Sequence, residues 1–171
     1  METEIINRVA NSALVQIDLE DWYPVQPRKE FDLSSYLFQG LILKELDFRS
    51  ALKQLDWNLY QNAIVAVHCS ADAIVPTWAY MLIGQYLSAV TGEVYFCTPE
   101  RLDDFVFQKI IERLDVETYK DQKVIVKGCS KLPVPTSAFV AISVRLTPIV
   151  QSLMFGEPCS NVPLYKKKKS V

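Results

Sequence analysis

The sequence predicts an α/β domain of three layers, α/β/α, around a mostly parallel sheet of about five strands. Three observations predict it. Short β-branched runs, AIVAV (Ala63–Val67) and VIV (Val124–Val126), read as strands covered on both faces. Segments of helical periodicity alternate with such runs, which implies parallel pairing and right-handed crossovers. A diverged internal repeat is also present: FRSALKQLDWNLYQNAIVAVHCS (Phe48–Ser70) matches FQKIIERLDVETYKDQKVIVKGCS (Phe107–Ser130) with one inserted residue.

The repeat continues through VPTWAY and VPTSAF, and the spacing from Pro76 to Cys97 equals that from Pro135 to Gly156. Two repeated units of helix–strand–helix–strand are therefore expected inside a single domain, 1–171. Its parts are an N-terminal strand and helix (1–45), a first unit (46–100), a second unit (101–160) and a tail (161–171).

In chain order, ALVQIDL (Ala13–Leu19) is a strand, and the turn-rich WYPVQPRKEFD leads to a short helix near Leu33–Phe38. Pro76 and Pro135 suit the first turn of the helices that follow, with Thr77 and Thr136 beside them. The first of these helices is expected to stop near Thr91, capped by Gly92. EVYFC and QSLMF return as strands. Pro99–Leu114 is an amphipathic helix through Leu102, Phe105, Val106, Ile110 and Leu114.

At 171 residues, 50% of them hydrophobic, the chain can bury one sizeable core. A net charge of −2 offers no broad basic face, so nucleic acid is not an expected partner. The opening METEIINRVANSALVQ lacks the basic-then-apolar pattern of a secretory signal, and no apolar run is long enough to span a membrane. A cytoplasmic location follows as an expectation, and there cysteines bind metal, react or pack. The Lys166–Lys169 tail reads as a solvated charge run.

All four cysteines, Cys69, Cys97, Cys129 and Cys159, fall where a predicted strand ends, and three of them precede serine in VAVHCS, VIVKGCS and FGEPCS. The carboxyl edge of a parallel sheet is where open α/β folds place their chemistry. Neighbouring strands lie roughly 4.8 Å apart, so thiols on adjacent ends could share a zinc or iron ion. The expected ligands are Cys69, Cys129 and Cys159, with the fourth position open or taken by His68, Asp72 or Glu157. Against this stand packing, with cysteine as a small buried hydrophobe, and a reactive thiol, for which Cys69 and Cys129 are the candidates.

VHCSADAIVPT begins like the HCSA of tyrosine phosphatases, but Val75 stands where the phosphate-binding arginine is needed. His68, the single histidine, reads as a satisfied strand-end residue or as a ligand. Asp72, Ser70 and Ser130 read as turn and cap residues. Trp78 and Tyr80 read as core, or as a wall beside the site. No GxGxxG, GxxxxGK[ST], HExxH or GxSxG occurs, which disfavours nucleotide cofactors.

The blocks METEIINRVANSALV, FQGLILKELDFR, CSADAIVPTWAYM, KGCS–PVP and FGEPCS–VPLYK span nearly the whole chain. Through them it resembles a bacterial domain-of-unknown-function family, number 2480, recorded mainly from Bacteroidota. The resemblance attaches no activity. It places Cys69, Cys129 and Cys159 inside family blocks and leaves Cys97 outside them, and it implies a neighbourhood of iron–sulfur assembly proteins as partners. The expectation is a cytosolic accessory protein with a thiolate-rich metal or iron–sulfur-linked site. A cysteine-dependent enzyme of persulfide or acyl transfer, and an interaction or homodimerisation module with buried cysteines, are the alternatives.

Overall fold

The computed structural model describes residues 14–128 and 131–168. In chain order the regular elements are β1 (Leu14–Asp18), β2 (Arg28–Asp32), β3 (Leu37–Phe38), β4 (Ile42–Leu43), α1 (Glu45–Gln54) and β5 (Ile64–His68). There follow α2 (Thr77–Leu87), β6 (Glu93–Phe96), α3 (Leu102–Glu112), β7 (Lys123–Lys127), α4 (Thr136–Leu146), β8 (Ser152–Glu157) and β9 (Ser160–Lys166). The chain divides into two compact units. Residues 25–105 form an inserted unit, and residues 1–24 with 106–171 form a split unit.

The α/β class and the mostly parallel pairing are present, but the strands do not join one sheet of about five. The inserted unit has the order β2-β5-β6, all parallel, beside the small antiparallel pair β3–β4. The split unit has the order β1-β7-β8-β9, parallel except for the antiparallel β9. The division follows from long-range pairing. β1 takes β7 as its partner, whereas β2, close behind β1 in sequence, takes β5.

In each unit the alternate residues of the central strand face two helices across one core. In the inserted unit Val65 and Val67 pack with Phe48 and Leu52 of α1 and with Ala79, Ile83 and Leu87 of α2. In the split unit Val124 and Val126 pack with Phe107 and Ile111 of α3 and with Ala138, Ile142 and Leu146 of α4. The α2 and α4 helices each start directly after a proline in extended conformation, Pro76 and Pro135. Each proline is therefore the cap residue and not the first turn.

Three further readings are corrected. Arg28–Asp32 is a strand, because Phe31 gives the turn-rich segment one deeply buried anchor against β5. The residues after it form a single 3₁₀ turn, Leu33–Tyr36, and not a helix to Phe38. The α2 helix stops at Leu87, because the Thr91 hydroxyl donates to the Ala63 carbonyl at 2.6 Å and accepts from the Glu93 N–H at 3.2 Å. Thr91 thereby belongs to the turn into β6, and Gly92 caps no helix.

The residues assigned to a tail begin with β9, which pairs along β8 with a register shift between Leu153 and Met154. Pro163 within it is tolerated because β9 is an edge strand. Gly156 at the end of β8 has φ +114°, and a Cβ built there would sit 2.7 Å from the Ser160 carbonyl oxygen. Gly156→Ala is therefore expected to cost about 1–3 kcal/mol in urea unfolding. A loss below about 0.5 kcal/mol would mean that the hairpin adapts without strain.

Candidate functional site

At the carboxyl end of the inserted unit's sheet, β2 finishes at Asp32 and β5 at His68, directly opposite each other in the register. The chain leaves β5 through Cys69 and Ser70, and Asp32 holds that exit. Its Oδ1 accepts the N–H groups of Ser34 at 2.9 Å and Ser70 at 3.0 Å. Its Oδ2 accepts the hydroxyls of Ser34 at 2.7 Å and Ser70 at 2.5 Å, and the two hydroxyl oxygens lie 3.0 Å apart. Burial alone would push this carboxyl up. The four hydrogen bonds from Ser70 and Ser34 outweigh it and hold the group well below the ordinary aspartate value.

Cys69 sits beside this clamp, partly buried against the helix-side core, and its Sγ donates to the Ala71 carbonyl at 3.6 Å. Burial raises the Tyr80 phenol above its usual value, with smaller contributions from Cys69 and Asp32. His68 Nε2 lies 3.2 Å from Glu30 Oε2, while Cys69, the first residue past β5, is partly buried against the core. Cys97 follows β6; burial raises its thiol, Arg101 pulls it down and Asp104 adds to the rise.

The split unit has a related edge. Asp18 ends β1 and accepts the Glu20 N–H at 3.0 Å, capping a 3₁₀ turn as Asp32 does. Lys127 ends β7, with Nζ 3.3 Å from Asp18 Oδ2 and 3.7 Å from Glu157 Oε1. Glu157 at this edge is thus paired with a lysine. Just past β7, Gly128 has φ +131°, and a Cβ there would meet the Leu19 and Glu20 backbone nitrogens at 3.2 and 3.3 Å. Past it, the Lys131 N–H donates to Glu20 Oε1 at 3.0 Å. Cys159 is exposed in the turn between β8 and β9.

Of the expected ligands, then, His68 and Cys69 belong to the inserted unit, Glu157 and Cys159 to the split unit, and Cys129 lies outside the described residues. Among the described residues no group of three or more His, Cys, Asp or Glu side chains is placed to hold a metal ion. Asp32 and Ser34 emerge beside the Cys69–Ser70 turn without having been assigned to a cysteine site. The sequence carried one signal for Asp32: IDLEDW and FDLSSY share an Asp-Leu step, and each aspartate caps a 3₁₀ turn.

The model of one protein family, described as a protein of unknown function, DUF2480, matches residues 3–167. The chain belongs to the DUF2480 family. No curated protein and no solved structure matches this DUF2480 chain. Among its described residues no helix is long and apolar enough to cross a membrane.

The thiols of this DUF2480 protein are expected to react in a definite order. With iodoacetamide at mildly alkaline pH, exposed Cys159 is modified well before Cys97, whose raised pKa leaves less thiolate. Peptide mass spectrometry over a time course reads the order directly. Equal rates at Cys97 and Cys159 would contradict it.

Proposed function

We propose that the protein is a cytosolic accessory protein that uses strand-end thiolates to hold zinc, iron or an iron–sulfur-linked group, in the company of iron–sulfur assembly proteins. In this reading Cys69, Cys129 and Cys159 supply sulfur, and Glu157 or His68 completes the shell. The observation that carries it is the Asp32 clamp. It spends a low-pKa carboxylate and two serines on fixing the turn that presents Cys69 at the carboxyl edge of a parallel sheet. The Cys69 thiol makes a weak hydrogen bond to the Ala71 carbonyl.

The test is elemental analysis of anaerobically purified protein beside a Cys69→Ser/Cys129→Ser/Cys159→Ser variant. Bound zinc or iron near one equivalent, lost in the variant, is the expected result. A metal-free wild type, or metal retained in the variant, would sink the reading.

The same reading takes the two units as diverged copies of one module in a three-layer α/β/α arrangement. Support comes from matched local geometry. Asn62 and Asp121 both adopt positive φ, 54° and 55°, and their N–H groups donate to Val90 and Ile149. The ring pairs Tyr80–Phe96 and Phe139–Phe155 both meet edge to face, at 76° and 84°.

A second reading, a non-catalytic interaction module, is favoured by a separate observation. The α2 helix carries no charged residue and α4 carries one, although Met81, Val140 and Val144 on them are exposed. A surface helix ordinarily turns a polar face to water.

A further inference from the structure

The split unit's sheet carries a row of free positive charge at its amino edge, the end away from Glu157 and Cys159. Parallel register sets Lys123 of β7 beside Ser152 of β8, and antiparallel register sets Ser152 beside Lys166 of β9. Their chain neighbours Val124, Leu153 and Tyr165 pack on the helix-side core, so strand alternation turns Lys123 and Lys166 to the other face. Both are exposed. Adjacent lysines are neutralised, Lys120 by Glu117 at 3.5 Å and Lys167 by Asp121 at 2.8 Å. Among the described residues neither Lys123 nor Lys166 has a carboxylate partner. The row is also held in place. Past β9 the Lys167 N–H still donates to the Gln151 carbonyl at 2.8 Å, which fixes the backbone on both sides of Lys166.

We infer that this row is a docking surface for an acidic segment of a partner protein. Charge complementarity selects that occupant. Two strand spacings, roughly 10 Å, separate the backbones of Lys123 and Lys166, so the charges are spread along a line and not gathered on one small anion. A polypeptide bearing successive carboxylates covers that distance in about three extended residues. Nucleic acid fits less well. Single strands are gripped by aromatic rings stacked on bases as well as by cations, and the row reads Leu14, Lys123, Ser152, Lys166. Protection of a sheet edge, the ordinary reason for lysine on an outer strand, accounts for Lys166 on β9. It does not account for Lys123, because β7 lies between β1 and β8.

Fluorescence anisotropy of a labelled oligoglutamate peptide, titrated with the full chain, is the test. At about 20 mM salt a dissociation constant of about 100 µM or below is expected, weakened at least about fivefold at about 150 mM. Lys123→Glu/Lys166→Glu is expected to weaken binding about tenfold or more, and Lys123→Gln/Lys166→Gln about threefold. Lys29→Glu/Lys53→Glu makes the same change in net charge at exposed lysines of the inserted unit, and should leave binding within about twofold. Unchanged circular dichroism checks that the variants fold. Saturating peptide should also slow acetylation of Lys123 and Lys166 relative to Lys53.

Absence of binding at low salt overturns the inference. So does equal weakening by the two glutamate pairs, which would make the effect one of net charge. A single-stranded oligothymidylate that binds as tightly as the peptide overturns the assignment to an acidic protein segment. The lysine variants keep every thiol and the cysteine variants keep both lysines, so this inference and metal binding fail separately.

Discussion

Phe31→Ala is expected to lower the unfolding free energy by about 3–5 kcal/mol. Phe31 is 1% exposed and is the aromatic hub of the inserted unit. Its ring stacks on Tyr36 at 5.3 Å and on Trp57 at 5.8 Å, and Tyr60 tilts against it at 6.0 Å. Trp57 stacks onward to Tyr86 of α2 at 4.8 Å and donates from its indole to the Leu52 carbonyl at 2.9 Å. Removing the ring opens a cavity whose walls are themselves interlocked aromatics, so little collapse can offset the lost burial. The pairs add roughly 0.5–1.5 kcal/mol each beyond area. Urea titration followed by near-ultraviolet circular dichroism measures it. A loss below about 1.5 kcal/mol would show that the cluster relaxes into the space.

Asp32→Ala is expected to cost about 2–4 kcal/mol, because it removes a charged acceptor of four hydrogen bonds and strands the N–H groups of Ser34 and Ser70. The effect carries a pH signature. The folded-state pKa of Asp32 lies below its unfolded value of roughly 3.9. Its contribution is therefore fully present above that unfolded value and is lost as pH falls towards the folded one. The stability gap between wild type and Asp32→Asn should stand open at neutral pH and narrow steadily below about pH 4. A constant gap from neutral pH to about pH 2.5 would show that the carboxylate does not hold its protonation state through these contacts. The same variant should free the Cys69–Ser70 turn, so faster alkylation of Cys69 is an independent readout.

Much of the fold was legible because its signals are local. The β-branched runs at Val65 and Val124 mark strands wherever they end up, since such side chains fit a pleated, covered surface. Pro76-Thr77 and Pro135-Thr136 mark helix starts because proline presets the backbone and cannot follow within the helix. β2 was hidden because a five-residue strand with one apolar anchor, Phe31, has no periodicity to read. β9 was masked by Pro163 and by the lysines that follow it.

Of the candidate site, the sequence by itself determined the chemistry available. Four thiols and one histidine fall at or near strand ends that the sequence predicts, with serine next to three of the thiols, and no phosphate-cradling glycine motif accompanies them. Residue type and local spacing suffice for that, because strand ends and helix starts are short-range events. Only the tertiary structure decided which strand ends are neighbours. Pairing of β2 with β5 brings Asp32 to Ser70 across 38 residues, and pairing of β1 with β7 gives Asp18 to Lys127. Such partnerships are set by register and by which face is buried, quantities that exist only once distant segments have packed.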